Sequence, residues 1–280
     1  MEFKVVVCVK PIPDPEKYNE ITIDPVSKTI VREGIPTIIN PIDKNAIECA
    51  LQIKEKFGGR VILLSMAPPN AKDAILEGLA MGADEAYLLS DKKFAGADTL
   101  ATSYVLAQGI RYLGGADLVL TGTESGDGAT AQVSSQLAEW LDIPGLWGVT
   151  GLDVKTRDEI YIKSKIENGY MEWRGEGPLV LALSREINKP RYTSIMGVMK
   201  AKKKPLHILS FTELELDEKY VGLMGSPTQP GEIFTPEINR QVQMVQGSKE
   251  ELVQFIIDKL RTEGINTSPL TAGCKGVNGV

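Results

Sequence analysis

The reading of the fold turns on "LVLTGTESGDGATAQVSSQLAEWL", residues 118–141. An apolar run gives way to a loop of Gly, Ala, Ser and Thr, and an apolar pattern at helical spacing follows. A continuous apolar run suits a strand buried on both faces, as in a parallel sheet. The spacing predicts a helix over 127–142, with Val133, Leu137 and Leu141 toward the sheet and Trp140 beside them. A loop that joins such a strand to a helix N-terminus is where open α/β sheets hold ligands. Unpaired backbone N–H groups and about half a positive charge face outward there. Gly122, Gly126 and Gly128 allow close approach of a ligand to the main chain. Thr123, Ser125 and Thr130 add short hydroxyl donors. This is equipment for a phosphate or diphosphate. The spacing G-x-x-x-G-x-G is neither the dinucleotide fingerprint nor the Walker motif. A tight strand-to-helix turn without a ligand therefore remains open at this point. Asp127 either caps the helix or accepts from a ribose hydroxyl.

Working outward, "FKVVVCV" (3–9), "RVILLSM" (60–66) and "EAYLLS" (85–90) are further buried strands. Between them lie helical patterns at 40–57, 70–81 and 97–113. In the first, Asn40 suits the N-cap, Pro41 the first helical position, and Ile42, Ala46, Ala50, Ile53 and Phe57 the apolar face. Alternation of strand and helix gives a Rossmann-like, doubly wound, mainly parallel sheet covered on both sides. Two other strand ends share the ligand crevice: Cys8-Val9-Lys10, and Ser65-Met66-Ala67. Asn40 comes near as well. Cys8 contributes backbone rather than thiol chemistry, because it lies inside a buried run. "MGADEAYLL" (81–89) and "GGADLVLTG" (114–122) repeat the same helix-to-strand chemistry. "EITIDPVSKTIVRE" (20–33) reads as a hairpin. After residue 146, "GVTGLDVK", "EIYIKSKI", "GYMEWRG" and "PLVLALS" are strands without helices between them, an antiparallel extension. Residues 185–209 are polar and basic, with apolar residues embedded. Residues 210–247 have little periodicity, and an amphipathic helix follows at 248–263. Such an arm cannot easily stabilise itself and is expected on another surface, the alternative being that it packs back on its own domain.

Composition excludes several classes. The chain has 280 residues, a formal charge of −6, and 42% hydrophobic and 24% charged residues. An acidic chain without a basic face is a poor nucleic-acid binder. No apolar stretch approaches the ~20 residues of a membrane span. The start of the chain reads as a strand, not a signal peptide. Cys8, Cys49 and Cys274 suit neither a disulfide framework nor zinc, and fit a reducing cytoplasm. His207 is the sole histidine. It has no catalytic neighbour in sequence and reads as a strand-end surface residue.

"TGTESGDGATAQV" (121–133), "NKPRYTSIMGVMKAKKKPL" (188–206) and "VGLMGSPTQPGEIFTP" (221–236) together resemble the β (small) subunit of electron transfer flavoproteins. "INPIDKNAIECALQIKE" (39–55) and "GLAMGADEAYLL" (78–89) resemble it too. The likeness runs from residue 3 to about 263. It implies an α/β nucleotide-binding domain over 1–209 with a recognition loop at about 190–205. An arm over 210–263 would lie on an FAD-bearing α subunit, and residues 264–280 would be a flexible tail. The resemblance also implies a nucleotide in the β crevice: AMP in the respiratory type, or a second FAD accepting hydride from NADH in the electron-bifurcating type. Carried over by position, that site uses Cys8, Asn40, Pro41, Ile42, Asp43, Ser65 and Met66. It also uses the run Gly122, Thr123, Glu124, Ser125, Gly126, Asp127, Gly128, Ala129, Thr130, Ala131, Gln132 and Val133. Small residues at Gly128 and Ala131, and the "GLMGSP" segment, resemble the bifurcating branch. "TESG" (123–126) departs from the Arg/Lys-Gln-Ala-Ile run of many members. Electrons would leave for a ferredoxin- or flavodoxin-type carrier and for a high-potential acceptor, an acyl-CoA dehydrogenase or a quinone-linked system. In the recognition loop Ile195 matches the apolar anchor that enters the partner, with Met196 beside it. Lys200, Lys202, Lys203 and Lys204 would meet acidic partner surfaces. The chain would be cytoplasmic, touching a membrane only through its partners. A free-standing adenine-nucleotide-binding protein of the same fold is the remaining alternative.

Overall fold

The computed structural model describes residues 2–20, 22–23, 30–31, 36–229, 231 and 242–265. It divides into two compact units, Met1–Ile233 and Phe234–Val280. The first unit is built on β1 (Phe3–Cys8), β2 (Pro11–Pro13), β3 (Thr22–Ile23), β4 (Ile30–Val31), β5 (Thr37–Ile39) and α1 (Pro41–Phe57). It continues through β6 (Gly59–Met66), α2 (Lys72–Met81), β7 (Glu85–Leu89), α3 (Thr99–Tyr112), β8 (Leu118–Gly122) and α4 (Val133–Leu141). Then come β9 (Gly145–Thr156), β10 (Glu159–Ile166), β11 (Gly169–Gly175), β12 (Leu179–Leu183), α5 (Ile195–Ala201) and β13 (Leu206–Leu209). In the second unit the described residues contain α6 (Lys249–Thr262). Ser248 caps it in a reciprocal box with Glu251, and none of its residues is buried.

One nine-stranded sheet runs in the order β11-β10-β9-β12-β8-β1-β6-β7-β13. From β1 the chain moves one way through β6 and β7, then returns to place β8 on the other side of β1. That reversal opens a crevice at the carboxyl ends of β1 and β8. Side chains in β1 alternate between two cores. Phe3, Val5 and Val7 join Ile47 and Leu79 on one face, and Val6 and Cys8 join Val105 and Leu137 on the other. The two Gly-Ala-Asp junctions act alike. Asp84 accepts from Val61 N–H at 2.8 Å, and Asp117 from Lys4 N–H at 2.7 Å. Each carboxylate fixes the start of the neighbouring strand.

Three expectations change. The extension is antiparallel only through β9, β10 and β11; β12 returns to run parallel between β8 and β9. A strand that inserts inside the sheet is apolar on both faces, so its sequence does not show direction. The stretch 185–209 contains α5 and β13, which are too short to show a period. Residues 211–229, assigned to the arm on sequence grounds, run back over the first unit. There Leu214, Leu216 and Val221 are buried in the second core. Of the hairpin at 20–33, Thr22–Ile23 and Ile30–Val31 pair antiparallel, and the remainder lies largely outside the described residues. His207 is exposed on β13 and stacks on Tyr87, ring centroids 4.7 Å apart.

Candidate functional site

A cavity of about 430 Å³ sits at the reversal between β1 and β8. Its floor is the end of β1, Cys8 to Lys10, and the end of β8, Thr121 and Gly122. Asn40 and Asp43 from the start of α1 close one side. The start of α3, Ala97 to Thr99 with Thr102 and Leu106, forms the opposite wall.

Asn40 and Asp43 form a clasp under the loop that follows β8. Asn40 stands at the N-cap of α1 but makes no side-chain cap bond. Its amide instead donates to Asp43 Oδ1 at 3.0 Å and to the Glu124 carbonyl at 2.8 Å. Its Oδ1 accepts from Gly126 N–H at 3.2 Å. Asp43 Oδ2 accepts from Lys10 N–H at 2.7 Å, and Oδ1 from Gly122 N–H at 3.1 Å. Burial pushes the Asp43 carboxyl up to about 7, although those three donors and the Lys10 charge pull it down. Burial, with Asp43 nearby, pushes the Cys8 thiol up to about 12, so it carries no thiolate chemistry.

The small-residue loop itself differs from the expectation. Helix α4 begins at Val133, not at 127, because Ala129 (φ 46°) and Ala131 (φ 55°) are left-handed. Such residues cannot continue a right-handed helix. Ala129 N–H closes a turn on the Ser125 carbonyl at 2.8 Å. Asp127 therefore caps nothing; it pairs with Lys10 Nζ at 2.6 Å. The glycines also have separate reasons. A Cβ on Gly122 would come within 2.4 Å of Asp43 Oδ1, so the chain's own packing requires that glycine. At Gly128 a Cβ would stand 3.3 Å from Ser125 Oγ, which is tight but tolerable. On the first turn of α4, Ser134 Oγ is buried in the cavity wall with no hydrogen-bond partner among the described residues. A buried hydroxyl without a partner calls for one, an ordered water or a ligand group, and Ser65 Oγ outside the lining is in the same position.

The opposite wall is joined to the segment that follows β13. Asp98 Oδ1 caps α3 through Leu100 and Ala101 N–H, at 2.9 and 3.0 Å. Its Oδ2 accepts from Thr228 N–H at 3.0 Å, and its own N–H donates to Ser226 Oγ at 2.8 Å. Thr228 thereby reaches the cavity mouth.

A second feature stands apart from the cavity. On and just before α5, Tyr192, Ile195, Met196 and Met199 are 91%, 84%, 64% and 67% exposed. The residues around them are fixed. Arg191 bonds Glu48 through Nε and Nη2, at 2.7 and 3.0 Å, and Glu55 through Nη1, at 2.6 Å. Asn45 and Asn188 exchange amide-to-carbonyl bonds at 2.8 and 3.0 Å. Gly197 lies so close to α2 that a Cβ there would be 2.5 Å from the Ala80 carbonyl. Lys204 Nζ, expected from the sequence to meet a partner, is engaged within its own chain. It donates to the Leu79 and Ala83 carbonyls at 2.9 and 2.5 Å, capping the end of α2. Lys200, Lys202 and Lys203 are exposed.

The sequence profile of the electron transfer flavoprotein domain matches residues 27–214. An electron transfer flavoprotein subunit beta of Thermoanaerobacterium thermosaccharolyticum is 43% identical over 262 residues, covering 93% of this chain and 99% of that protein. Subunit CarD of the caffeyl-CoA reductase–Etf complex of Acetobacterium woodii is 41% identical, covering 94% and 99%. The acryloyl-CoA reductase electron transfer subunit gamma of Anaerotignum propionicum is 38% identical, covering 92% and 97%. The chain belongs to the electron transfer flavoprotein β-subunit family.

Within that family frame, the residues carried over by position divide into two sets. Cys8, Asn40, Asp43, Met66, Gly122 to Ser125, Gly128 and Thr130 to Val133 line the cavity. Pro41, Ile42, Ser65, Gly126, Asp127 and Ala129 are not in its lining. Ile42 packs beneath Gly122, and Ser65 is fully buried at the end of β6. The residues missed are Thr121, Ser134, the α3 wall and Thr228. Asp98 before a helical pattern was a visible N-cap signal. Thr228 had none, since only folding brings it 130 residues back to Asp98. No helix among the described residues is long and apolar enough to cross a membrane.

Proposed function

We propose that this chain is the β subunit of a heterodimeric electron transfer flavoprotein of the bifurcating type, with FAD in the cavity between β1 and β8. The observation that carries this is the small-residue loop over the carboxyl ends of those strands, with Ser134 Oγ buried beside it and unpaired among the described residues. Loop N–H groups, the Ser134 hydroxyl and Lys10 suit a diphosphate. A cavity of about 430 Å³ is within the range for small ligands, an adenylate among them. A longer dinucleotide must extend through the mouth. The cofactor-contacting residues are then those that line the cavity, while Asn40 and Asp43 hold the loop in shape.

Bound there, FAD would supply the redox chemistry, taking two electrons from NADH and passing one to a ferredoxin- or flavodoxin-type carrier and one through the FAD of an α subunit to a high-potential acceptor. The chain's own residues bind, orient and exclude water. No side chain among the described residues is asked to move a proton. The exposed ridge Tyr192, Ile195, Met196 and Met199 is the docking surface for the acceptor, with Ile195 as its anchor. Lys200, Lys202 and Lys203 steer an acidic partner toward it. Relatives named as parts of caffeyl-CoA and acryloyl-CoA reductases support an acceptor that acts on CoA esters. The arm beyond residue 229 is assigned to the α subunit, and the complex to the cytoplasm.

The second reading, structural AMP in the cavity, is favoured by a volume that an adenylate alone can fill. Co-purification with the companion subunit, followed by nucleotide extraction, separates the two. Two FAD per heterodimer support the bifurcating reading. One FAD with one AMP would replace it by the second, and a stable nucleotide-free monomer would remove both.

A further inference from the structure

Lys10 is the one cationic side chain among the residues that line the cavity. Its main chain is locked: its N–H donates to Asp43 Oδ2 at 2.7 Å, and its carbonyl accepts from Asn40 N–H at 2.9 Å. Its side chain is not locked. It is about half exposed and crosses to the small-residue loop, where Nζ meets Asp127 Oδ1 at 2.6 Å and Ser125 Oγ at 3.2 Å. A Cβ on Gly128 would lie 3.8 Å from the same ammonium, so the charge stands beside the smallest residue of the loop.

A half-exposed ion pair of this kind contributes little to stability and opens readily. A phosphate carries more charge than a carboxylate and offers more acceptor oxygens. Asp127 does not lose everything if Lys10 leaves, because the Ser125 hydroxyl also bonds its carboxylate. Burial raises the Asp127 carboxyl, but the bond and charge of Lys10, together with the Ser125 hydroxyl and a backbone N–H, hold it below the usual carboxylate range. Of the three acids that line the cavity, Glu124 is exposed, and Asp98 and Asp43 do not compete for Lys10 in the same way. Asp98 is occupied by three N–H groups, and Asp43 accepts from the Lys10 main chain.

We propose that Lys10 is the residue that selects a phosphorylated ligand in this cavity, and that Asp127 is its resting partner: an entering phosphate takes the Lys10 ammonium from Asp127. This rests on the nucleotide reading of the cavity and adds a specificity-determining residue to it. The two members of the pair then have opposite effects on binding. Asp127 competes with the ligand, and Lys10 attracts it.

The test is equilibrium binding of AMP, adenosine and inorganic phosphate to the purified complex, stripped of nucleotide, with thermal unfolding as a check on each variant. Asp127→Asn is expected to tighten AMP about 3- to 10-fold, since a competitor worth little in itself is removed. Lys10→Gln is expected to weaken AMP about 10-fold or more, and Lys10→Arg to retain it. Adenosine is expected to bind all forms alike, which separates the phosphate contact from damage to the cavity. Weakening of AMP by Asp127→Asn and Lys10→Gln together would show that the pair only builds the loop and would overturn the proposal. Unchanged AMP binding in Lys10→Gln would overturn it as well. Tight binding of inorganic phosphate with no gain from adenosine would assign Lys10 to free phosphate instead of a nucleotide. Failure of the unsubstituted complex to bind AMP or FAD at all would overturn the nucleotide reading, and Lys10's role with it.

Discussion

Residues 123–132 and residues 188–204 both follow the carboxyl ends of parallel strands, and β8 and β12, which they follow, lie side by side in the sheet. They are held by opposite means. The first is a loop held at Glu124 and Gly126 by buried Asn40, but beyond them it carries two left-handed alanines and is spanned by one half-exposed ion pair. The second is a short helix fixed before it by Arg191 on two glutamates, beneath it by Gly197, and after it by Lys204 on two carbonyls. A loop around a ligand must yield when the ligand arrives. A docking ridge gains from being formed in advance, because ordering it later would weaken binding. The comparison teaches that irregular backbone is fixed where several polar contacts hold it along its length and can yield where a single exposed pair does.

Four changes break or sharpen that contrast. The largest effect concerns Asp43, which joins the soft loop to the rigid α1. Its carboxyl rises from 3.8 to about 7 on folding. Between those values the folded state holds the proton more tightly, so the stability it contributes is full below 3.8 and is lost as pH rises toward 7. The slope is at most about 1.4 kcal/mol per pH unit. Denaturation of Asp43→Asn across pH 4–8 is expected to lack that decline, and parallel profiles in the two proteins would refute the burial argument. Next, Arg191→Ala leaves Glu48, 6% exposed, buried without a counter-charge. A loss of about 2–3 kcal/mol in urea unfolding is expected, less than for a fully buried pair because Arg191 is one-third exposed. Then Ile195→Ala is expected to slow electron transfer to the acceptor dehydrogenase about 10-fold, a hot-spot-sized effect, with bound flavin unchanged. Equal rates would remove the anchor role. The smallest effect belongs to the loop: Ala131→Gly relieves a left-handed alanine and should raise stability by under about 1 kcal/mol. A clear loss there would mean that the methyl group, not the backbone shape, matters.

Much of the fold was legible because it rests on simple periods. The runs at 3–9, 60–66 and 85–90 are apolar without alternation, and they became parallel strands inside the sheet. Asn40-Pro41 correctly marked the start of α1. The candidate site was legible only in part. The loop 122–133 was visible from its small residues, but its shape was not. Nothing local says that Ala129 and Ala131 turn left-handed, since alanine is also the best helix former. The role of Lys204 was equally hidden, because a lysine in "KAKKKP" looks the same whether it faces solvent or two carbonyls.

The sequence by itself determined the longer strands and helices, that the strands near the N-terminus run parallel, and that a side-chain-poor loop follows β8. Those follow from patterns within a few residues. Only the tertiary structure decided that β12 inserts between β8 and β9, that Asn40 and Asp43 serve the loop instead of the helix, and that Lys10 reaches Asp127. Each of these joins polar groups far apart in the chain, and such pairings are fixed by the burial that brings them together, not by local preference.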